Sequence, residues 1–138
     1  MKVVADSMVW VSYFANEDGF RHGLLEQAQR YRARLFASEY LVDEVTRALV
    51  RDFEMPRRDA RLVREKMFRI CRTVTLPTSI PRYVPGDSHD DPIVETAIRA
   101  KADYLVTTDE EIRRLKKIRN VTIITPAELA RLLGWTMP

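Results

Sequence analysis

The sequence predicts one α/β domain in which a parallel sheet of four to five strands carries helices on both faces. Three observations predict it. Short apolar runs alternate with segments of helical periodicity along the chain, the pattern of strands joined by helical crossovers. Runs such as "VVA" and "YLV" are short and wholly apolar, as suits strands buried on both faces. A length of 138 residues with 46% apolar and 31% charged content is enough for one core, so residues 1–138 read as a single domain.

"KVVAD" is the first strand, ending at Asp6, and Ser7 can cap the helix "MVWVSYFAN". "GFRHGLLEQAQRYRA" is a second helix and "RLFAS" a second strand. Ser38 caps the next helix, where Leu41, Val45, Ala48 and Leu49 recur at helical spacing and Glu44 lies on the edge of their stripe. Pro56 ends or interrupts it. "RRDARLVREKMFRIC" follows, with Leu62, Met67, Phe68 and Cys71 as the expected inner stripe. "TVTLP" is a third strand, and "PTSIPRYVPGDSHD", with three prolines and a glycine, is a loop. Asp91 suits an N-cap before "PIVETAIRAKA", with Pro92 in the first helical position. The strand "DYLVTT", the short helix "DEEIRRLKK" and the strand "VTIIT" come next. "TPAE" is a capping box with proline, and Gly134 closes the final helix.

No stretch has the roughly 18 apolar residues of a membrane span. The apolar N-terminus is broken by Asp6 and reads as a strand rather than a signal peptide. A single cysteine, Cys71, forms no internal disulfide and reads as a buried thiol. A reducing, cytoplasmic location is expected. Net charge is only +3, but bases cluster in "RRLKKIR" and at Arg57, Arg58, Arg61, Arg64, Arg69 and Arg72. Each cluster is either a solvated helix face or a surface for a polyanion.

The acids carry the chemistry. Ligands of such sheets bind beyond the carboxyl ends of the strands. Asp6 closes the first strand and Asp109 the strand "DYLVTT". Asp91 starts the helix between the loop and that strand, and Glu95 lies one turn on, an unfavourable like-charge pair unless a cation sits nearby. Asp90 reads as a solvated neighbour, Asp87 as loop, and His89 as an exposed loop histidine. If Asp6, Glu44, Asp91 and Asp109 converge, they cannot all stay ionised without compensation. A hard divalent cation, Mg²⁺ or Mn²⁺, is the natural answer. Zinc is not, because only Cys71, His22 and His89 offer soft ligands.

"VVADSMVWVSYF", "SEYLVDEVTRAL", "DDPIVETAIRAKADYLVTTDEEI" and "VTIITPAELARLL" resemble the successive motifs of PIN-domain nucleases. They resemble most the small VapC-like toxins of bacterial and archaeal toxin–antitoxin pairs. The resemblance implies a Rossmann-like fold and a Mg²⁺- or Mn²⁺-dependent endoribonuclease. It implies Asp6, Glu44, Asp91 and Asp109 as catalytic metal-binding acids, with Glu95 as a further ligand. It also implies a homodimer and a small antitoxin protein as partner. Met8 stands where the family often has an amide, and "TTD" replaces the commoner "TGD" or "TRD". With RNA as substrate, Arg113, Arg114, Lys116 and Lys117 are expected to guide its backbone. Two alternatives remain: a non-catalytic PIN-fold scaffold for RNA or protein, and a phosphatase- or receiver-like acidic pocket. The last lacks a D-x-D motif after the first strand.

Overall fold

A computed structural model describes every residue except Arg32. The tail of the expected second helix at that position lies outside the described residues. In chain order the elements are β1 (Lys2–Ala5), α1 (Ser7–Ala15), α2 (Phe20–Arg30), β2 (Arg34–Ala37), α3 (Glu39–Phe53) and α4 (Arg57–Ile70). Then follow β3 (Arg72–Thr73), α5 (Asp91–Arg99), β4 (Tyr104–Val106), α6 (Glu110–Arg113), β5 (Lys117–Ile118), β6 (Val121–Ile124) and α7 (Pro126–Leu133).

The sheet runs β3-β2-β1-β4-β6-β5, parallel except for β5 against β6. The α/β class and the parallel core match the expectation, and a sixth, two-residue strand extends one edge. That strand takes Lys117 and Ile118, so α6 is shorter than "DEEIRRLKK": it stops at Arg113, and Lys116 turns the chain with φ 57°. β3 is likewise shorter than "TVTLP" and lies one residue earlier.

Val3, Val4 and Ala5 of β1 are fully buried, as are Leu105 and Val106 of β4, which is why these strands are apolar throughout. The chain moves outward from β1 to β2 and β3, then returns to place β4 on the other side of β1. This reversal makes the β1–β4 boundary the topological switch point, where a crevice opens beyond the strand ends. α5 packs on β1, β2 and β4, while α1 packs on α2 and α3.

α3 buries Leu41, Val42, Val45, Ala48 and Leu49, close to the expected stripe. It ends where Glu54 adopts the left-handed conformation (φ 52°) ahead of Pro56, so the chain turns sharply into α4. On α4 the inner residues are Ala60, Val63 and Met67. Leu62 is exposed, contrary to the expected stripe, because it falls on the opposite side of the helix from Met67. Cys71 is buried, with its thiol pushed up to about 12 by burial. Trp10 and Tyr13 belong to the core, and Trp135 packs its ring over Gly23, where a Cβ would stand 2.8 Å from the indole. Among the described residues no helix is long and apolar enough to cross a membrane.

Candidate metal-binding cleft

A cleft of about 680 Å³ opens at the switch point, lined among others by Asp6, Glu44, Asp90 and Asp109. The strand ends supply two of these acids. Asp6 follows β1 and is the N-cap of α1, its carboxylate accepting from Ser7 N at 2.6 Å. Ser7, the expected cap, is instead the first helical residue. Asp109 follows β4 and caps α6, accepting from Ile112 N at 3.1 Å. Because β1 and β4 are neighbours in register, with Ala5 opposite Val106, the two acids leave the sheet side by side.

Thr107 joins them. Its hydroxyl donates to Asp6 Oδ2 at 2.6 Å and accepts from Asp109 N at 3.0 Å. The side chain is fully buried, so one hydroxyl fixes both strand-end acids from beneath. Sequence reasoning missed it. Its signal was a threonine at a buried strand end two residues before an acid, the spacing at which a hydroxyl captures a backbone N–H. Burial raises the Asp6 carboxyl above its ordinary value, against the pull of Thr107 and Ser7, and the Asp109 charge adds to the rise. Glu44 enters from α3, half-buried, and is also raised, first by burial and further by Asp6.

The third expected acid is placed differently from the other three. Asp91, expected in the cleft, does not line it. α5 begins one residue earlier than expected, so Asp91 is its first residue and Asp90 its N-cap position. The Asp91 carboxylate folds away, with Oδ1 accepting from Tyr83 N and Val84 N, both at 2.8 Å. Oδ2 lies 2.8 Å from Arg82 Nε, an ion pair without hydrogen-bond alignment. Glu95 is drawn the same way: it accepts from the Tyr83 hydroxyl at 2.9 Å and stands 3.5 Å from Arg99 Nε. Asp91 and Glu95 do share a helix face, and the cations beside them are guanidinium groups.

Asp90 lines the cleft instead. It makes no capping bond, and its Oδ2 is buried without any hydrogen-bond partner. Burial, followed by the charges of Asp109, Asp87, Asp6 and Glu44, pushes its carboxyl up to about 7. Asp87 and His89 also line the cleft, with Asp87 accepting from His89 N at 2.9 Å. The Tyr40 hydroxyl, held to His89 O at 3.1 Å, closes one wall. Arg113, Arg114, Lys116 and Lys117 are exposed and none lines the cleft. Arg114 pairs with Glu111 at 3.0 Å. The basic residues on the cleft wall are Arg47 and Arg51, which sequence reasoning did not single out.

The family model described as PIN domain matches residues 2–111. The chain belongs to the PIN-domain family. The match spans β1 to the start of α6 and so includes all four acids of the cleft, within a family of nucleases. No curated protein sequence matches. A similar solved structure is a chain of VapBC2 from Rickettsia felis bound to a DNA fragment from their promoter. It shares 13% identity, covers 91% of this chain and 98% of that one, and gives a TM-score of 0.64. At that identity the likeness is one of PIN fold.

Among the described residues, no three His, Cys, Asp or Glu side chains stand close enough to chelate one ion as arranged. The donor set of this PIN cleft nevertheless suits a hard cation: all oxygen, with one buried carboxylate oxygen unpartnered. Asp6, Glu44 and Asp90 are all raised, first by burial and further by the charges of neighbouring acids, a cost to the ionised forms that a divalent ion would relieve.

Proposed function

We propose that the chain is a Mg²⁺- or Mn²⁺-dependent endoribonuclease, acting as the toxin of a toxin–antitoxin pair. The observation that carries the nuclease reading is the grouping of Asp6, Glu44, Asp90 and Asp109 at the switch point, with the unpartnered oxygen of Asp90 buried among them. Asp6, Asp90 and Asp109 would hold the metal, and Glu44 would complete the set from α3. The bound ion supplies Lewis acidity toward a phosphoryl oxygen and toward water. Thr107 keeps the Asp6 carboxylate oriented and holds the Asp109 backbone beside it. Arg47 and Arg51 meet the substrate's negative charge at the cleft wall. The toxin role and an antitoxin partner are supported by the likeness to VapBC2, and a homodimer is proposed from the motif resemblance alone.

The test is hydrolysis of single-stranded RNA by purified protein with Mn²⁺, with and without EDTA, for the wild type and Asp6→Asn, Asp90→Asn and Asp109→Asn. Metal-dependent cleavage lost in all three variants is expected. Full activity in a well-folded Asp90→Asn or Asp109→Asn would sink the assignment. The spacing of the acids also suits an idle scaffold. That reading requires no thermal stabilisation by Mn²⁺ and no cut RNA.

A further inference from the structure

The acidic cleft does not end at Arg47 and Arg51. Both residues also line a second trough, of about 640 Å³, between α3 and α4, whose other basic residues are Arg57, Arg61 and Arg64. Its origin is the turn at Glu54–Pro56, which folds α4 back along α3. Arg47 and Arg51 lie one turn apart on α3, and Arg57, Arg61 and Arg64 follow one face of α4. Helical rise places Arg57 and Arg64 about 10 Å apart along that axis.

Five guanidinium groups thus border one trough. Arg64 is engaged by Asp43 and Glu39, and Arg51 by its neighbour Asp52. Arg47, Arg57 and Arg61 are exposed and pair with no carboxylate among the described residues. Between the two rows, Val50 and Ala60 form a small apolar floor. Planar, permanently charged donors over an apolar floor suit a strand whose phosphates meet Arg and whose bases stack on guanidinium planes.

We infer that this trough is the track for the single-stranded RNA backbone on one side of the scissile bond, feeding the acidic cleft through Arg47 and Arg51. The inference rests on the ribonuclease reading above and adds the path of the substrate to it. It also divides the basic residues. The track is the α3–α4 arginines, and the exposed run of Arg113, Arg114, Lys116 and Lys117 lies outside it.

Two double variants of equal charge change, Arg57→Ala/Arg61→Ala and Lys116→Ala/Lys117→Ala, separate these surfaces. All four residues are exposed, so both proteins should fold. Fluorescence anisotropy with a labelled 20-nucleotide single-stranded RNA in EDTA reads binding across a salt series. Hydrolysis of a tetranucleotide with Mn²⁺ reads the cleft alone. The trough variant should bind the 20-mer on the order of tenfold more weakly, with a salt slope reduced by about 0.7 for each lost phosphate contact. It should cut the tetranucleotide as the wild type does. The Lys116/Lys117 variant should bind close to normally.

Unchanged 20-mer affinity in the trough variant, with cleavage intact in the wild type, overturns the track and leaves the nuclease reading standing. The track is equally overturned if that variant keeps its RNA affinity but loses a co-purifying protein partner, which would make the trough a protein interface. A wild type that neither binds nor cuts RNA removes both proposals together.

Discussion

Two acidic clusters sit within one turn of each other at the start of α5, and they solve the same electrostatic problem in opposite ways. Around Asp91 and Glu95, the carboxylates are almost wholly buried yet compensated by Arg82, Arg99, the Tyr83 hydroxyl and two backbone N–H groups. Around Asp90, the carboxylates of Asp6, Glu44 and Asp109 are less completely matched, and one oxygen of Asp90 has no partner. A compensated buried acid pins a loop. An uncompensated one keeps a charge demand that a cationic ligand would meet. Burial and a missing hydrogen bond do not separate the two aspartates, since an oxygen of each lacks one. What separates them is the cation, with Arg82 Nε 2.8 Å from Asp91 and no guanidinium paired with Asp90 among the described residues.

Exchanging the acids tests the contrast most directly. Asp90→Asn is expected to lower RNA cleavage on the order of 10²-fold or more, as for other groups that stabilise transition-state charge. Asp91→Asn should retain cleavage within a few-fold when rates are normalised to folded protein. Equal loss in both would erase the distinction drawn between them. Thr107→Val should follow, with cleavage down about 10- to 100-fold, as when a group that orients metal ligands is removed. Thr107→Ser should restore most of it, because the serine hydroxyl can still reach Asp6 and the Asp109 N–H.

On the compensated side the cost is stability. Asp91→Ala leaves Tyr83 N and Val84 N without their acceptor, at about 1–3 kcal/mol for a buried orphan. Urea denaturation should show this as a lower midpoint with an unchanged slope. The smallest effect separates the clusters by pH. Asp90 sits at about 7 against an ordinary 3.8. Between those values the folded chain keeps a proton that the unfolded chain has released, so stability falls as pH rises across the window. In EDTA the thermal midpoint should therefore decline from about pH 4 to about pH 7, the range of that shift, and Asp90→Asn should flatten the decline. Mn²⁺ at the upper end should restore stability, by about 2.7 kcal/mol at a hundred times its Kd. A Mn²⁺ response equally large in Asp90→Asn would place the ion elsewhere.

The residues legible from sequence share one property: their signals are local. Alternating runs gave the α/β class, strand-final position gave Asp6 and Asp109, and helical spacing put Glu44 at the edge of a stripe. The residues that were missed depend on partners far along the chain. Thr107 matters because Asp6, 101 residues away, lies beside it in the sheet. Arg47 and Arg51 matter because α3 borders both the cleft and the trough, while "RRLKKIR", the denser run in sequence, lines neither.

By itself, then, the sequence determined the order and type of the elements and the placing of acids at two strand ends, since periodicity and strand termini are written within a few residues. Which of two adjacent aspartates faces the cleft was decided only in the folded chain. One residue along a helix turns a side chain by about 100°. The start of α5, and the packing of residues 82–84 against it, chose Asp90 for the cleft and Asp91 for the loop.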